Sequence, residues 1–222
     1  MKITEYGKDT VRRVLAVSLI IIVSSFFIHL QEIRFILTIT VVLLLAFTLY
    51  FFRDPERTLP SGISEKTVIS PADGKIVLLE EVENKYSDFF GNTGIKQVSI
   101  FLSPLNVHVN CFPVNGILKY YNYIKGNYIV AFDHKSSERN ERTELGIETN
   151  EGKKLIFKQI AGFVARRIVC KVRLGDKVKA GSKFGMIKFG SRVDILMSSD
   201  TEIHVKIGDK VKAGVTIIAE LT

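Results

Sequence analysis

Two charge-free apolar runs near the N-terminus constrain this chain more than any other feature. Val14 to Leu30 (VLAVSLIIIVSSFFIHL) and Phe35 to Phe52 (FILTITVVLLLAFTLYFF) hold no Asp, Glu, Lys or Arg over 17 and 18 residues. Crossing a bilayer core takes about 20 apolar residues, with a lower limit of about 17. In lipid the backbone must satisfy its own hydrogen bonds, so both runs are expected to be helical despite their β-branched residues. Gln31 to Arg34 (QEIR) interrupts them and is the expected tip of a helical hairpin. Lys8, Arg12 and Arg13 precede the first run, and Arg53 and Arg57 follow the second. The positive-inside bias therefore puts both ends, and everything after them, on the cytoplasmic side of the cell (inner) membrane. A basic stretch before an apolar run also fits a secretory signal, but no small-residue cleavage site follows and a second run comes at once. Runs this short also fit a re-entrant hairpin. His29 reads as an interfacial residue rather than a ligand.

After Phe52 the composition changes. Phe52 to Gly62 (FRDPERTLPSG) is polar, with two prolines, and reads as a linker. The expected organisation is a membrane-anchoring hairpin over 1–52 and a single domain over 53–222. Hydrophobic residues at 46% and charged residues at 24% exclude a disordered chain. Two cysteines, Cys111 and Cys170, exclude a disulfide framework and a Cys-rich zinc module, so no metal site is expected. The net charge of +8 calls for an anionic partner. Nucleic acid would meet that charge, but no recognition motif supports it; an anionic lipid leaflet meets it as well.

The body shows short runs of β-forming residues between turn residues, clearest at Lys75–Val82, Gln97–Leu102, Gly116–Lys125, Lys153–Ala161 and Phe184–Phe189. No long stretch has helical periodicity, and Asp133 to Arg142 (DHKSSERNER) reads as a loop. The fold class is mainly β, antiparallel or barrel-like. GDKVKAG occurs twice, at Gly175–Gly181 and Gly208–Gly214, 33 residues apart. Two such turn-forming units suggest a pseudo-repeated barrel-sandwich like that of biotinyl and lipoyl carrier domains. Carrier function does not follow, because Lys188, the candidate lysine, lacks the carrier motif.

Three residue types could carry chemistry. Ser191 follows Gly190 between strand-like KFGMIKF and RVDILM, and its hydroxyl can approach the Gly190 carbonyl. His108, in FLSPLNVHVNCFPVNG, is the usual kind of general base for a serine hydroxyl. Asp73, in ISPADGKI, is of the type that orients an imidazole, and also of the type that simply forms a turn before glycine. His134 and His204 have no partner motif and read as structural. Arg166 and Arg167 adjoin, so on a strand they face opposite sides and one of them could bind an oxyanion.

FFRDPER, SPADGK, FLSPLNVHVN, NER (140–142), AGFVARRIVC and FGSRVD occur in that order. Together they resemble the short, membrane-anchored type of phosphatidylserine decarboxylase proenzyme, from about Phe51 to the C-terminus. The resemblance implies autocatalytic cleavage at Gly190-Ser191, giving a large chain 1–190 and a small chain 191–222. Ser191 would become an N-terminal pyruvoyl group, the enzyme's self-made cofactor. That group would form a Schiff base with the amine of phosphatidylserine, and loss of CO₂ would lead to phosphatidylethanolamine. It also implies catalytic roles for Ser191, His108 and Asp73; by residue type alone, Arg166 or Arg167 could bind the lipid phosphate or carboxylate, or be a solvated charge. The implied partners are the lipid, the membrane and the two chains of one precursor, with association of further copies left open. Larger family members carry two histidines three apart after LSP. His108 matches the first and Cys111 stands at the second, so His108 would serve decarboxylation, self-cleavage or both. Two other readings stand beside this one: the same chemistry on an ether-linked archaetidylserine, and a membrane-tethered carrier or adaptor without catalysis.

Overall fold

The computed structural model describes residues 2–126, 140–162, 167–188 and 191–222. The chain divides into two compact units, Met1–Pro55 and Glu56–Thr222.

The first unit is a pair of packed helices, α1 (Lys8–Ser25) and α2 (Gln31–Phe51). The turn between them falls at Phe26–Leu30, inside the first apolar run, and QEIR opens α2 instead of forming the tip. The N–H groups of Phe26, Phe27 and Ile28 each bond the carbonyl three residues back, which tightens and ends α1. The Ser25 hydroxyl also bonds back to Ile22 O at 2.6 Å. Glu32 then sits in the first turn of α2, where a negative charge complements the helix N-terminus. Among the described residues α2 is the one helix long and apolar enough to cross a membrane. Lys8, Asp9, Arg12 and Arg13 fill the start of α1 and leave its apolar part short. Along α2, large side chains such as Phe35 (66%), Ile36 (63%) and Leu43 (63%) are exposed.

The second unit is mainly β, as the alternation predicts. Its elements are β1 (Thr67–Ile69), β2 (Gly74–Val82), α3 (Ser87–Phe90), β3 (Ile95–Leu102), β4 (Val109–Cys111), β5 (Gly116–Ile124), β6 (Arg142–Glu148), β7 (Lys154–Ala161), β8 (Arg167–Cys170), β9 (Lys177–Val178), β10 (Lys183–Lys188), β11 (Ser191–Ser198), β12 (Glu202–Ile203), β13 (Lys210–Val211) and β14 (Ile217–Glu220). A curled sheet runs in the order β13-β2-β3-β11-β7-β6-β5-β9, beside the smaller sheets β1-β14-β12 and β4-β10-β8. The five strands expected from the sequence are present, with ends shifted by a residue or two. The expected loop at 133–142 lies mostly outside the described residues, but its last residue opens β6. Arg142 is tolerated in a strand because it pairs, at 2.8 Å, with Glu144 on the same face.

The inner face of the large sheet carries the core. Val98, Ile100 and Leu102 of β3, Leu155, Phe157 and Ala161 of β7, and Val193, Ile195 and Met197 of β11 alternate inward. On the outer face Arg192 and Asp194, two residues apart and both buried, form an ion pair at 2.8 Å. Ile95, Ile156 and Leu196 lie on that same outer face, with Phe89 and Phe90 of α3 packed against them.

The two GDKVKAG copies supply β9 and β13, the two edges of the large sheet. Their hydrogen bonds match one for one. The Leu118 N–H donates to Asp176 O and the Gly175 N–H to Leu118 O, at 2.9 and 2.8 Å; the Ile76 N–H donates to Asp209 O and the Gly208 N–H to Ile76 O, both at 2.9 Å. The Ala180 N–H donates to Asn115 Oδ1 at 2.9 Å, and the Ala213 N–H to Asp73 Oδ1 at 2.8 Å. A second, degenerate repeat thus emerges: Pro71-Ala72-Asp73-Gly74 and Pro113-Val114-Asn115-Gly116 occupy equivalent places. Gly181 and Gly214 adjoin, so the copies bring the sheet edges together. Glu56–Thr222 is one compact body that contains both copies.

At Gly74 and Gly116 a Cβ would run into the carbonyls of Phe101 and Glu148. Gly116 also has φ 153°, which disfavours any side chain. Gly116→Ala is therefore expected to cost about 1–3 kcal/mol, read as a lowered thermal unfolding midpoint of the detergent-solubilised chain.

Candidate active site

Ser191 opens β11, which lies between β3 and β7, and is paired with Leu102 on one side and Ala161 on the other. Alternation turns its side chain to the inner face with Val193 and Ile195. It is fully buried, and its Oγ makes no hydrogen bond among the described residues. A buried hydroxyl left that way costs about 1–3 kcal/mol, and packing alone would favour alanine. Gly190 lies outside the described residues.

His108 lies in the loop before β4 and is fully buried. Its carbonyl accepts the Ile187 N–H at 3.3 Å, which sets it beside β10, the strand that leads toward Ser191. The imidazole Nδ1 is 3.0 Å from Asn106 O. A carbonyl oxygen only accepts, so Nδ1 carries the proton and, in the neutral ring, Nε2 carries the lone pair. Asn106 is itself fixed: its Oδ1 accepts the Ser103 N–H and its N–H donates to Ser103 O, both at 2.8 Å. The LSPLN turn thus selects the tautomer.

Asp73 is not brought onto that imidazole. Its carboxylate accepts the Ala213 N–H at 2.8 Å and holds the Arg57 guanidinium on both oxygens, Nη2 to Oδ2 at 2.7 Å. Arg57 also donates to Ala213 O at 2.9 Å. In the other half Asn115 performs the same cap with a neutral amide. The charge of Asp73 thus goes beyond what the turn requires and engages Arg57.

A buried polar chain crosses the inner face beside Ser191. The Thr143 hydroxyl donates to Gln159 Oε1 at 2.8 Å, and Gln159 Nε2 donates to Asn110 Oδ1 at 2.9 Å. Asn110 in turn bonds Pro71 O at 3.4 Å. The chain links β6 and β7 to β4 and to the turn that contains Asp73.

Arg166 and His134 lie outside the described residues. Arg167 opens β8 opposite Lys188 of β10. It lines a cavity of about 460 Å³ together with Tyr121, Tyr123, Glu141 and Thr143. His204 is partly exposed and lies 4.0 Å from Glu202, far in sequence from these groups. Among the described residues no three His, Cys, Asp or Glu side chains converge as metal ligands.

Reasoning from the sequence missed Arg57, Gln159, Asn110 and Glu141. Gln159 left a signal: it interrupts the apolar alternation Leu155-Phe157-Gln159-Ala161 on a buried face. In the sequence Arg57 reads only as a charge flanking the second apolar run, although it closes FFRDPER, one of the blocks that carry the resemblance.

Residues 44–219 match the family profile described as phosphatidylserine decarboxylase. The chain belongs to the phosphatidylserine decarboxylase family. It is 49% identical over 178 residues to a phosphatidylserine decarboxylase proenzyme of Chlorobium limicola, covering 80% of this chain and 81% of that one. A proenzyme of the same name from Salinibacter ruber is 47% identical over 177 residues, covering 80% and 77%. One from Chlorobaculum tepidum is 44% identical over 220 residues, covering 99% and 98%.

Cys111 stands three residues after His108. It ends β4, is buried, and its Sγ lies 3.4 Å from Ser70 O. Burial pushes the thiol up to about 12; the nearby Asp73 charge adds to this and Arg57 opposes it. At neutral pH Cys111 is therefore a protonated, inert group rather than a substitute base. Iodoacetamide at pH 8 is expected to leave Cys111 unmodified in the native chain and to label it after denaturation, read by peptide mass spectrometry. Native labelling should speed up only as the pH approaches 12.

Proposed function

We propose that this chain decarboxylates phosphatidylserine to phosphatidylethanolamine and CO₂, after cutting itself at Gly190-Ser191 and converting Ser191 to an N-terminal pyruvoyl group. The observation that carries this reading is the buried Ser191 hydroxyl at the head of a central strand, with no hydrogen-bond partner among the described residues. It fits a nucleophile turned on its own preceding carbonyl. Attack by Oγ on the Gly190 carbonyl breaks the peptide C–N bond and gives an ester with a free Ser191 amine; elimination then frees chain 1–190 as a carboxylate and leaves dehydroalanine at the head of chain 191–222, which water hydrolyses to the pyruvoyl group and ammonia. The pyruvoyl group supplies a carbonyl that, joined to the substrate's amino nitrogen, takes up the electron pair left by departing CO₂.

The chain's own residues provide the rest. His108 holds its lone pair on Nε2, because Nδ1 is bound to Asn106 O. Nε2 is the atom that takes the Ser191 proton during self-cleavage, or holds the proton that the substrate carbon receives after CO₂ leaves. Asp73 acts at a distance from the ring, by fixing Arg57 and the Ala213 turn beside the strand of Cys111. Arg167, or Arg166, meets the anionic part of the head group. Residues 1–52 anchor the protein in the cell membrane through α2, whose exposed apolar side chains suit lipid. The basic ends of the hairpin favour a cytoplasmic body, and the net charge of +8 favours docking on anionic lipid.

Ser191→Ala is expected to persist as one chain of 222 residues that releases no CO₂, read by gel, mass spectrometry and product assay. A variant that still splits at the same bond would overturn the reading. His108→Ala should lower CO₂ release about 10²–10⁴-fold. Cleavage scored separately on the same sample assigns the step: an uncut chain places His108 in self-cleavage, a cut but inactive one in decarboxylation.

A further inference from the structure

Ser191 does not stand alone on its row of the sheet. Its cross-strand partner on β7 is Ala161. The Ala161 N–H in turn donates to Glu141 O at 2.9 Å, one residue beyond the Arg142–Ile160 pair of β6 and β7. Ser191, Ala161 and Glu141 therefore occupy one row across three adjacent strands, and side chains paired in this way share a face. Neighbouring strands are about 4.8 Å apart, so the backbones of Ser191 and Glu141 are about 10 Å apart. Only the methyl of Ala161 lies between their side chains on the row.

Glu141 is 5% exposed and forms part of the wall of the cavity of about 460 Å³. Tyr121 and Tyr123 of β5, Thr143 of β6 and Arg167 of β8 complete its polar lining. The Tyr123 hydroxyl donates to Glu141 Oε1 at 3.1 Å. A carboxylate has about four acceptor positions, so this bond leaves capacity for a cationic ligand. Burying a carboxylate is costly unless something positive or hydrogen-bonding meets it. One anionic and one cationic side chain lining a single cavity, together with two phenols, match a zwitterion.

We infer that this cavity receives the serine head group of the lipid, with Glu141 taking its ammonium and Arg167 its phosphate. The inference rests on the proposed reaction and deepens it. Glu141 holds the ammonium one small side chain away from position 191, so the nitrogen enters at the end of the row where the reacting carbon is made. Arg167 is exposed at the start of β8, where the phosphate leads out toward the lipid tails. The Ala161 methyl keeps the path open, and a larger residue there would block it.

The test uses the full Ser191→Ala chain in detergent, because it holds no ketone and any preference for an amine must come from the cavity. Two probes are titrated by calorimetry: O-phosphoserine, and 3-phosphoglycerate, in which a hydroxyl replaces the ammonium. O-phosphoserine is expected to bind about tenfold more tightly, and adding Glu141→Gln should bring the two within about twofold. Glu141→Asp, which keeps the charge on a shorter arm, should retain part of the preference. Equal binding of the two probes in the parent chain overturns the inference, and so does a preference that survives Glu141→Gln. The parent comparison stands even if the Glu141 variants fail to fold by circular dichroism. Failure of the underlying reaction shows separately, as wild-type chain that remains uncut.

Discussion

The register of β11 against its two neighbours is the constraint on which the site depends. β3 and β7 pair with it along almost its whole length, from Ser191 to Ser198 and from Ser191 to Met197. Because side chains alternate, a slip of one residue would turn Ser191 outward and bury Arg192 in the core. The apolar set Val193, Ile195 and Met197, all essentially without solvent contact, opposes that slip on one face. The buried Arg192–Asp194 pair opposes it on the other, since moving either charge inward would leave it uncompensated. The Ser191 hydroxyl is thus positioned by packing two to six residues downstream of it.

The same strand shows how the proposed cut before Ser191 would leave the protein whole. Residues 191–222 include β11 in the centre of the large sheet, β13 on its edge beside β2, and β14 between β1 and β12. A break before Ser191 leaves all of these ladders intact. The small chain would be held by a central strand and two outlying strands, none of which depends on the peptide bond that is lost.

The repeated turns divide the work between architecture and chemistry. Both copies close the sheet with the same backbone bonds, and both use an Asx side chain to cap an alanine N–H. In one half that residue is Asn115, a neutral amide that caps Ala180 and donates from its Nδ2 to Glu65 at 3.4 Å. In the other it is Asp73, whose charge recruits Arg57 next to Cys111. The two halves differ at this Asx position, while the glycines that follow it, Gly74 and Gly116, both needed for close backbone approach, are the same.

Much of this was legible in the residues. Alternating runs between turn residues specified a mainly β body, and the GDKVKAG copies announced paired edges. Ser191 and His108 stood out by type and motif, because a hydroxyl after glycine and an imidazole are chemically distinctive wherever they fall. The helical hairpin was legible too, but its tip was misplaced: QEIR looked like the break, whereas Glu32 suits the first turn of a helix and the chain turned earlier, among Phe26–Leu30. What the amino-acid order determined by itself is local: which segments are apolar, which alternate, and which side chains can react. Only the tertiary structure decided that Asn106 fixes the tautomer of His108, that Asp73 holds Arg57 instead of the imidazole, and that Glu141 shares a row with Ser191. Those relations join residues through sheet register and turn closure, and a distance across a sheet is set by which strands pair, not by how far apart their residues lie along the chain.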